Sequence, residues 1–329
     1  MVTQKDIALK TGLSVSLVSR ALSGTAEAIG VPPQTVEKVR RAAAAMRYQP
    51  NASARILKGA AARTFGVVVY DFEDPFFGPI VGELQRLAHQ QGFSLVLGGF
   101  ERRRVWDLDV NGLLKHHIDG LLIIGSGHDL GWAQPFADQG MPMVRVGSGP
   151  RLRGLHSVEV DERQGVALLV QHLAAQGCRR IGFVGAEQPT HVLRLKYFKA
   201  ALRTMGVRAS TRHIVMRPER LAAAGYEAAR QLITGPGVDA LDAVVAASDL
   251  VALGALRGLA ESSCQVPAHL RLCGYDDIPG ARLSVPSLTT VRQPVEEMAR
   301  TAFERIVHSD GEAPKTVFSP ELIVRESTR

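Results

Sequence analysis

The chain has 329 residues, of which 46% are hydrophobic and 22% are charged. This composition supports a large buried core and excludes a disordered or low-complexity chain, while the length predicts two or three domains. No apolar run reaches the roughly 18 residues that a membrane span needs. The first residues also lack the apolar centre of a signal peptide, so we expect a cytoplasmic protein with no membrane partner.

The excess of positive over negative charge lies entirely in the amino-terminal segment. The net charge is +7, and residues 1–63 carry ten Lys and Arg against three Asp and Glu, which accounts for the whole excess. A basic head on a neutral body indicates a polyanion partner for the head. Charge alone leaves a solvated basic face equally open.

The three cysteines, Cys178, Cys264 and Cys273, are odd in number and lack the spacing of metal ligands. We predict that they are small buried hydrophobic residues. We expect no metal and no cofactor.

The first 47 residues predict three short helices. The first covers Gln4–Thr11, and the second covers Val15–Leu22 with Ser14 as its N-cap. Pro33 suits the first turn of the third helix, which we expect to end at Pro50. A short Gly-containing turn between the first two helices gives the spacing of a helix-turn-helix, although plain helix pairs pack in the same way.

The second helix has the composition of a DNA-reading helix. Val15, Ser16 and Arg20 share its exposed face, and small residues let a helix sit deep in the major groove. Arg20 can form a bidentate pair with a guanine edge. Ser14 and Ser19 can donate to phosphates, which sets register but not sequence.

A second DNA-binding signal lies in the segment Tyr48–Lys58. Asn51 can cap one or two helical turns that Gly59 stops, and so short a helix is marginal in water by itself. Leu57 lies between basic residues. This pattern suits a side chain that enters the minor groove as a wedge and unstacks a base step.

From Arg63 onward, short apolar strands alternate with helices, which predicts buried parallel sheets. One series runs from strand Phe65–Tyr70 to strand Ser157–Val160, and a second runs from a helix near Arg163 to strand Leu270–Tyr275. Two such series predict two doubly wound lobes, with the ligand beyond the carboxyl ends of the strands, in the cleft.

Polar and aromatic residues after these strands are the cleft candidates. Phe77 can stack on a sugar or a ring, and Ser126 follows the strand Leu121–Ile124. Arg194 is expected to open a helix, and Asp276 follows a strand, so both can form forked hydrogen bonds to hydroxyls or a carboxylate. Asp249 either faces the cleft or caps its helix.

Several motifs together carry a resemblance to a known family. In the head they are Thr3-x-Lys5-Asp6-Ile7-Ala8, Gly12-Leu13-Ser14-Val15-Ser16-Leu17-Val18-Ser19-Arg20-Ala21-Leu22 and Tyr48-x-Pro50-Asn51-Ala52-x-Ala54-Arg55-x-Leu57. In the body they include Asp74-Pro75-Phe76-Phe77, Ile118-Asp119-Gly120-Leu121-Leu122-Ile123, Ser248-Asp249-Leu250-Val251-Ala252-Leu253-Gly254-Ala255-Leu256 and Gly274-Tyr275-Asp276. These motifs occur in the same order as in the lactose-repressor/galactose-repressor (LacI/GalR) family. The sequence resembles that family over essentially the whole chain.

The resemblance implies an all-α helix-turn-helix head on an α/β, two-lobed body like that of periplasmic binding proteins, with two doubly wound parallel sheets. The implied domains are a DNA-binding domain at 1–50, a hinge helix and linker at 51–62, an N-terminal lobe at 63–161 plus 294–315, and a C-terminal lobe at 162–293 plus 316–329. Two features depart from the family pattern. The loop Ser23–Pro32 is about three residues longer than usual, and the segment Glu101–Trp106 is unusually basic.

The resemblance also implies that the chain is a sequence-specific transcription regulator. It would repress genes of carbohydrate or sugar-acid metabolism. Its partners would be double-stranded operator DNA, a sugar or sugar-acid effector and a second copy of the chain, sometimes paired into a tetramer. The implied DNA-binding residues are Thr3, Ser14, Val15, Ser16, Ser19, Arg20, Tyr48, Asn51, Ala54, Leu57 and Lys58. The implied effector-binding residues are Phe77, Ser126, Arg194, Arg220, Asp249 and Asp276.

Arg220 lies where some relatives have an aromatic residue. Together with Arg194 it suggests an acidic effector, while a solvated Arg at a helix start is the alternative.

Two other classes of protein fit less well. An enzyme is disfavoured because the Gly125–Gly131 stretch has its third Gly one residue late for a dinucleotide fingerprint, and no nucleophile elbow, phosphate loop or zinc motif is present. A solute-binding component of a transporter would carry a secretory signal and no basic head.

Overall fold

The computed structural model describes residues 2–48, 62–99, 113, 117–127, 129–207, 211–235, 237, 240–262, 264–309 and 314–329. It divides into two units, Met1–Ala62 and Arg63–Arg329. No helix among these residues is long and apolar enough to cross a membrane. Cys178, Cys264 and Cys273 are all buried, as predicted.

The head unit is a bundle of three helices, α1 (Gln4–Thr11), α2 (Val15–Ser23) and α3 (Pro33–Ala45), with a short 3-10 turn at Glu27–Ile29. The α1 prediction is confirmed at both ends. The third helix ends at Ala45, five residues before Pro50, the residue expected to end it.

Local capping explains where these helices begin. Thr3 and Asp6 form a capping box at the start of α1, and the Ser14 hydroxyl accepts a hydrogen bond from the backbone N–H of Leu17 at the start of α2. Ile7, Val18 and Val39 are fully buried where the three helices meet.

The body unit contains two parallel sheets. The six-stranded sheet has the order β11-β5-β4-β3-β1-β2, and every neighbouring pair is parallel. Its strands are β1 (Thr64–Val69), β2 (Ser94–Gly99), β3 (Gly120–Ile124), β4 (Met143–Val146), β5 (Leu155–Val160) and β11 (Lys315–Phe318). The helices α4 (Phe77–Gln90), α5 (Gln134–Asp138) and α11 (Val295–Val307) belong to this first lobe.

The second lobe is built on a four-stranded parallel sheet of order β7-β6-β8-β9. Its strands are β6 (Ile181–Ala186), β7 (Ile214–Arg217), β8 (Ala243–Ala246) and β9 (Arg271–Cys273). Its helices are α6 (Glu162–Ala175), α7 (Pro189–Thr204), α8 (Leu221–Thr234), α9 (Asp249–Ala260) and α10 (Pro279–Leu283).

Two glycines allow α8 and α9 to pack closely. A Cβ at Gly225 would collide with the carbonyl oxygen of Val251, and one at Gly254 would collide with that of Ala222. This close packing fixes the start of α9, which borders the cleft between the lobes.

The chain's last crossing between the lobes differs from the prediction. Residues 316–329 were assigned to the second lobe, but Thr316–Phe318 pair in parallel with Val158–Val160 in the first sheet. This strand ends before Pro320, which has no N–H to donate to a ladder. Beyond it, β12 (Glu321–Ile323) pairs antiparallel with β10 (Thr290–Arg292).

Candidate functional site

The head presents one exposed face of α2. Val15 is 41% exposed, and Ser16 and Arg20 are also exposed, while Val18 on the opposite side is fully buried. Ser19 is half-buried. These residues are on the helix where the sequence predicted a DNA-reading surface, and their contact with DNA stays a prediction.

The remaining head candidates have varied surroundings. Both the hydroxyl and the backbone N–H of Thr3 donate to Asp6 Oδ2 at 2.8 Å, so this residue also caps α1. Tyr48 is half-buried and packs against the core of the head. The candidates of the hinge segment, Asn51, Ala54, Leu57 and Lys58, lie outside the described residues.

The body contains a cavity of about 600 Å³ between its two lobes. Segments that follow the carboxyl ends of strands in both sheets line it, as expected for doubly wound folds. Five of the six effector candidates line this cavity, namely Phe77, Ser126, Arg194, Arg220 and Asp276.

Arg194 is at the centre of a buried ionic network. Its Nε and Nη2 donate to the two carboxylate oxygens of Glu162 at 2.8 and 3.0 Å, and Nη2 also donates to Asp276 Oδ1 at 3.2 Å. Nη1 donates to the carbonyl oxygen of Ala247 at 2.8 Å, and the guanidinium lies 3.6 Å from the centre of the Tyr275 ring. Burial lowers the pKa of Arg194, but Asp276 and Glu162 outweigh it, so the pKa is raised and the charge is kept.

This network limits what Arg194 can offer a ligand. A guanidinium has five N–H donors. Four of those on Arg194 are engaged by protein atoms, which leaves a single Nη1 hydrogen. A forked hydrogen bond from Arg194 to a ligand carboxylate would therefore require the network to rearrange. The sequence pattern did not identify Glu162, the residue that binds most of this fork.

Asp276 is held in an unusual conformation at the cavity wall. Its φ of 112° lies in a region that non-glycine residues rarely adopt, and such strain is typical of functional positions. Oδ1 accepts from Arg194 and, at 2.8 Å, from Gln293 Nε2. Oδ2 has no hydrogen-bond partner among the described residues, so it is an available acceptor.

Arg220 forms an ion pair across the cleft. It precedes α8 in the second lobe, and its Nη2 donates to Asp71, which follows β1 in the first lobe. Its side chain is 50% exposed. The suggestion of an acidic effector needed Arg194 and Arg220 to be available, but carboxylates of the protein bind both.

Asp249, expected either to face the cleft or to cap its helix, is not among the residues that line the cavity. The side chain is fully buried and accepts from Thr290 Oγ1 at 2.6 Å and from the Ile278 N–H at 2.9 Å. Burial raises its pKa to about 7, against the lowering effect of these bonds. The neighbouring Ser248, which sequence reasoning missed, caps α9 and lines the cavity instead.

Sequence reasoning also missed His191 in the cavity wall. Nδ1 accepts from the Ala186 N–H at 3.0 Å, and the Gln188 amide lies 2.7 Å from Nε2. Burial lowers the pKa of His191 to about 3, so the ring is neutral and Nε2 carries the hydrogen.

The remaining two candidates are in the first lobe. The Ser126 hydroxyl accepts from the Ser148 N–H at 3.0 Å, which links two loops that line the cavity. The Phe77 ring lies 5.4 Å from that of Phe76 in an edge-to-face arrangement. Both are placed to shape the cavity.

A three-helix head with a helix-turn-helix and a two-lobed body with a central cavity together define a ligand-controlled transcription regulator. Residues 170–328 match the family model of the periplasmic binding protein-like domain. The HTH-type transcriptional regulator GalS of Salmonella typhimurium is 31% identical over 307 residues, which are 92% of this chain and 88% of that protein. GalR of Escherichia coli is 31% identical over 99% of this chain and 96% of its own length.

Solved structures agree with these relatives. The lac repressor dimer bound to operator and the anti-inducer ONPF matches with a TM-score of 0.88 at 26% identity, over 99% of both chains. A complex of the transcriptional regulator CelR with cellobiose matches with a TM-score of 0.72 at 30% identity, over 99% of this chain and 100% of that one. The chain belongs to the LacI/GalR family, and it is a DNA-binding transcription regulator with an effector-binding body.

Proposed function

We propose that the chain represses transcription by binding double-stranded operator DNA through the exposed face of α2. Val15, Ser16 and Arg20 would read base edges, because a small-residue face with one Arg fits the major groove. Thr3, Ser14, Ser19 and Tyr48 would contact the DNA backbone. The basic head, which holds the whole net charge of +7, supports this proposal.

The hinge proposal rests on the resemblance to the family. Asn51 would cap a short helix, Ala54 and Lys58 would line the minor groove, and Leu57 would enter the central base step. Two hinges and two heads are needed for a near-palindromic site, so we propose a homodimer, with a tetramer as a further assembly. Such a regulator binds chromosomal DNA, which supports a location in the cytoplasm.

The cavity is proposed to bind a small polyhydroxylated effector of the carbohydrate class, with no catalytic step. The observation that carries this is the network of Arg194, Asp276 and Gln293. Among the described residues, this network leaves one N–H of Arg194 and Oδ2 of Asp276 without a partner, a pattern that suits hydroxyl groups. The same network disfavours a sugar acid, because Arg194 has no free fork for a carboxylate.

The domain boundaries follow as part of this proposal. Residues 1–50 form the head and 51–62 the hinge, residues 63–161, 294–315 and 316–318 form the first lobe, and residues 162–293 and 319–329 form the second. An effector that binds open and closed lobes with different affinity would shift their equilibrium. That shift would change how the two heads of a dimer fit one operator.

Selection of genomic DNA fragments by the purified full-length chain tests the DNA-binding part. Enrichment of a near-palindrome with a flexible central step supports it, and the absence of any enriched sequence contradicts it. Addition of carbohydrates to the selected site then tests the effector part. An effector must change both operator affinity and thermal stability, because the two sites are coupled.

A further inference from the structure

We propose that the effector of the cleft carries a protonated amine, bound between Asp74 and Asp276 against an aromatic wall of the first lobe. This inference rests on the proposed effector-binding function and specifies the chemistry of the ligand. It differs from the sugar acid that the arginines suggested from sequence.

The first observation is the charge of the cavity wall. Among the described residues that line it, eight are acidic and two are arginines. The acidic residues are Asp71, Glu73, Asp74, Asp129, Glu162, Glu187, Glu219 and Asp276. His191 adds no positive charge, because burial lowers its pKa to about 3. A cleft lined mainly by one sign of charge concentrates ligands of the other sign.

The second observation is that the two arginines do not balance the negative charge of the acidic residues. Arg194 is bound by Glu162 and Asp276, and Arg220 is bound by Asp71. Asp74, Asp129 and Glu187 form no ion pair among the described residues, and Asp74 has one hydrogen bond, from the Phe76 N–H. Carboxylates facing a partly dry cavity without a cation are costly.

The third observation is a buried hydrogen-bond acceptor, Asp276, in this wall. Asp276 is only 9% exposed, yet its Oδ2 has no partner among the described residues and its side chain lines the cavity. Burial raises the pKa of Asp276 against the lowering effect of Arg194, and the charge of Asp74, which lines the same cavity, adds to the rise. Burial likewise raises the pKa of Asp74. An ammonium group has three donors and no acceptor, which matches these free carboxylate oxygens.

The fourth observation is the aromatic wall, which consists of Tyr70, Phe72, Phe76 and Phe77. Phe72 is 60% exposed, which is unusual for a Phe and leaves a ring face available. Three acidic and three aromatic residues lie close together here in the sequence Asp71-Phe72-Glu73-Asp74-Pro75-Phe76-Phe77. Ring faces attract cations within about 6 Å, so this segment can bind the same charged nitrogen.

The test uses the full-length chain and the small-molecule pool of bacterial cells, split at neutral pH. One fraction is retained by a cation exchanger, one by an anion exchanger and one by neither. The readout for each fraction is the rise in Tm and the change in affinity for the selected operator. We expect the cation-exchanger fraction to carry the activity.

Matched variants locate the charge. In Asp74→Asn, which keeps the shape of the side chain, about tenfold more of the active fraction should be needed for the same rise in Tm. Glu297→Gln removes an equal charge on the exposed side of α11, outside the cavity lining, and should respond as the parent does. The Tm of each variant without ligand checks its folding.

Activity in the neutral or anion-exchanger fraction overturns the amine and leaves the proposed effector function standing. A chain that responds to no fraction, nor to the whole pool, contradicts the proposed function itself. An Asp74→Asn variant that folds and responds like the parent also overturns the inference.

Discussion

Arg220 donates to Asp71 across the cleft, so this ion pair joins the second lobe to the first. Arg220 is 50% exposed and Asp71 is 14% exposed, so solvent screens the pair on one side. We expect a coupling free energy of only about 0.2–1 kcal/mol between the two residues, the range of surface ion pairs. A double-mutant cycle with Asp71→Asn and Arg220→Gln, read by chemical unfolding, measures it.

A coupling well above this range would mean that the pair is desolvated and that it holds the lobes together by itself. The same two variants separate stability from function. If the pair stabilises the closed form, each variant alters the effector concentration that is needed, with little change in the free energy of unfolding.

The buried network around Arg194 should behave in the opposite way. The side chains of Arg194 and Glu162 are 4% and 10% exposed. Glu162→Ala leaves the guanidinium with only Asp276 as an ionic partner, so the free energy of unfolding should fall by about 3 kcal/mol or more. Denaturant unfolding measures this loss. Glu297→Ala, on an exposed helix face, should stay within about 0.5 kcal/mol of the parent.

The surroundings of Arg194 could be predicted only in part from the sequence. Its place in the cavity wall could be predicted from the strand before it. Its partner could not, because Glu162 lies 32 residues earlier and only the tertiary fold brings the two together. The helix start was also predicted five residues late, since Pro189 opens α7 before any periodic apolar pattern begins.

Features fixed by neighbouring residues were predicted better than contacts between residues far apart in the sequence. The bounds of α1 were predicted correctly because its cap, Thr3, and the left-handed Gly12 act within one turn of the helix ends. Asp249 was predicted either to face the cleft, because it follows a strand, or to cap its helix. Ser248, one residue earlier, lines the cavity instead. Asp249 accepts a hydrogen bond from Thr290, a partner 41 residues away.

The pH dependence of stability should show two opposing buried groups. His191 has a folded-state pKa of about 3, below its ordinary 6.5, so its contribution is present above pH 6.5 and is lost as pH falls toward 3. Asp249 has a folded-state pKa of about 7, above its ordinary 3.8, so its contribution is present below pH 3.8 and is lost as pH rises through 7. Between these limits the two effects oppose each other.

A variant at His191 separates the two effects. His191→Asn keeps an acceptor for the Ala186 N–H and removes the titrating ring. As pH falls from about 6 to about 4, its free energy of unfolding should rise relative to the parent by about 1 kcal/mol per pH unit. Urea unfolding at several pH values measures this difference, and parallel curves for variant and parent would show that His191 titrates normally in the folded chain.

The DNA-reading role of α2 can be tested with two arginines of the head. Arg20 is exposed on α2, whereas Arg41 is exposed on α3 and pairs with Glu37 at 3.1 Å. Arg20→Ala should lower the discrimination against a changed guanine in the selected operator by about 1–3 kcal/mol, because it removes a bidentate contact to the base edge. Arg41→Ala removes the same charge and should leave the ranking of operator variants unchanged. Competition binding against a set of single-base-pair operator variants measures both effects. If Arg20→Ala weakened all operators equally, Arg20 would be a phosphate contact, and the base-reading role would have to be reassigned to other residues of α2.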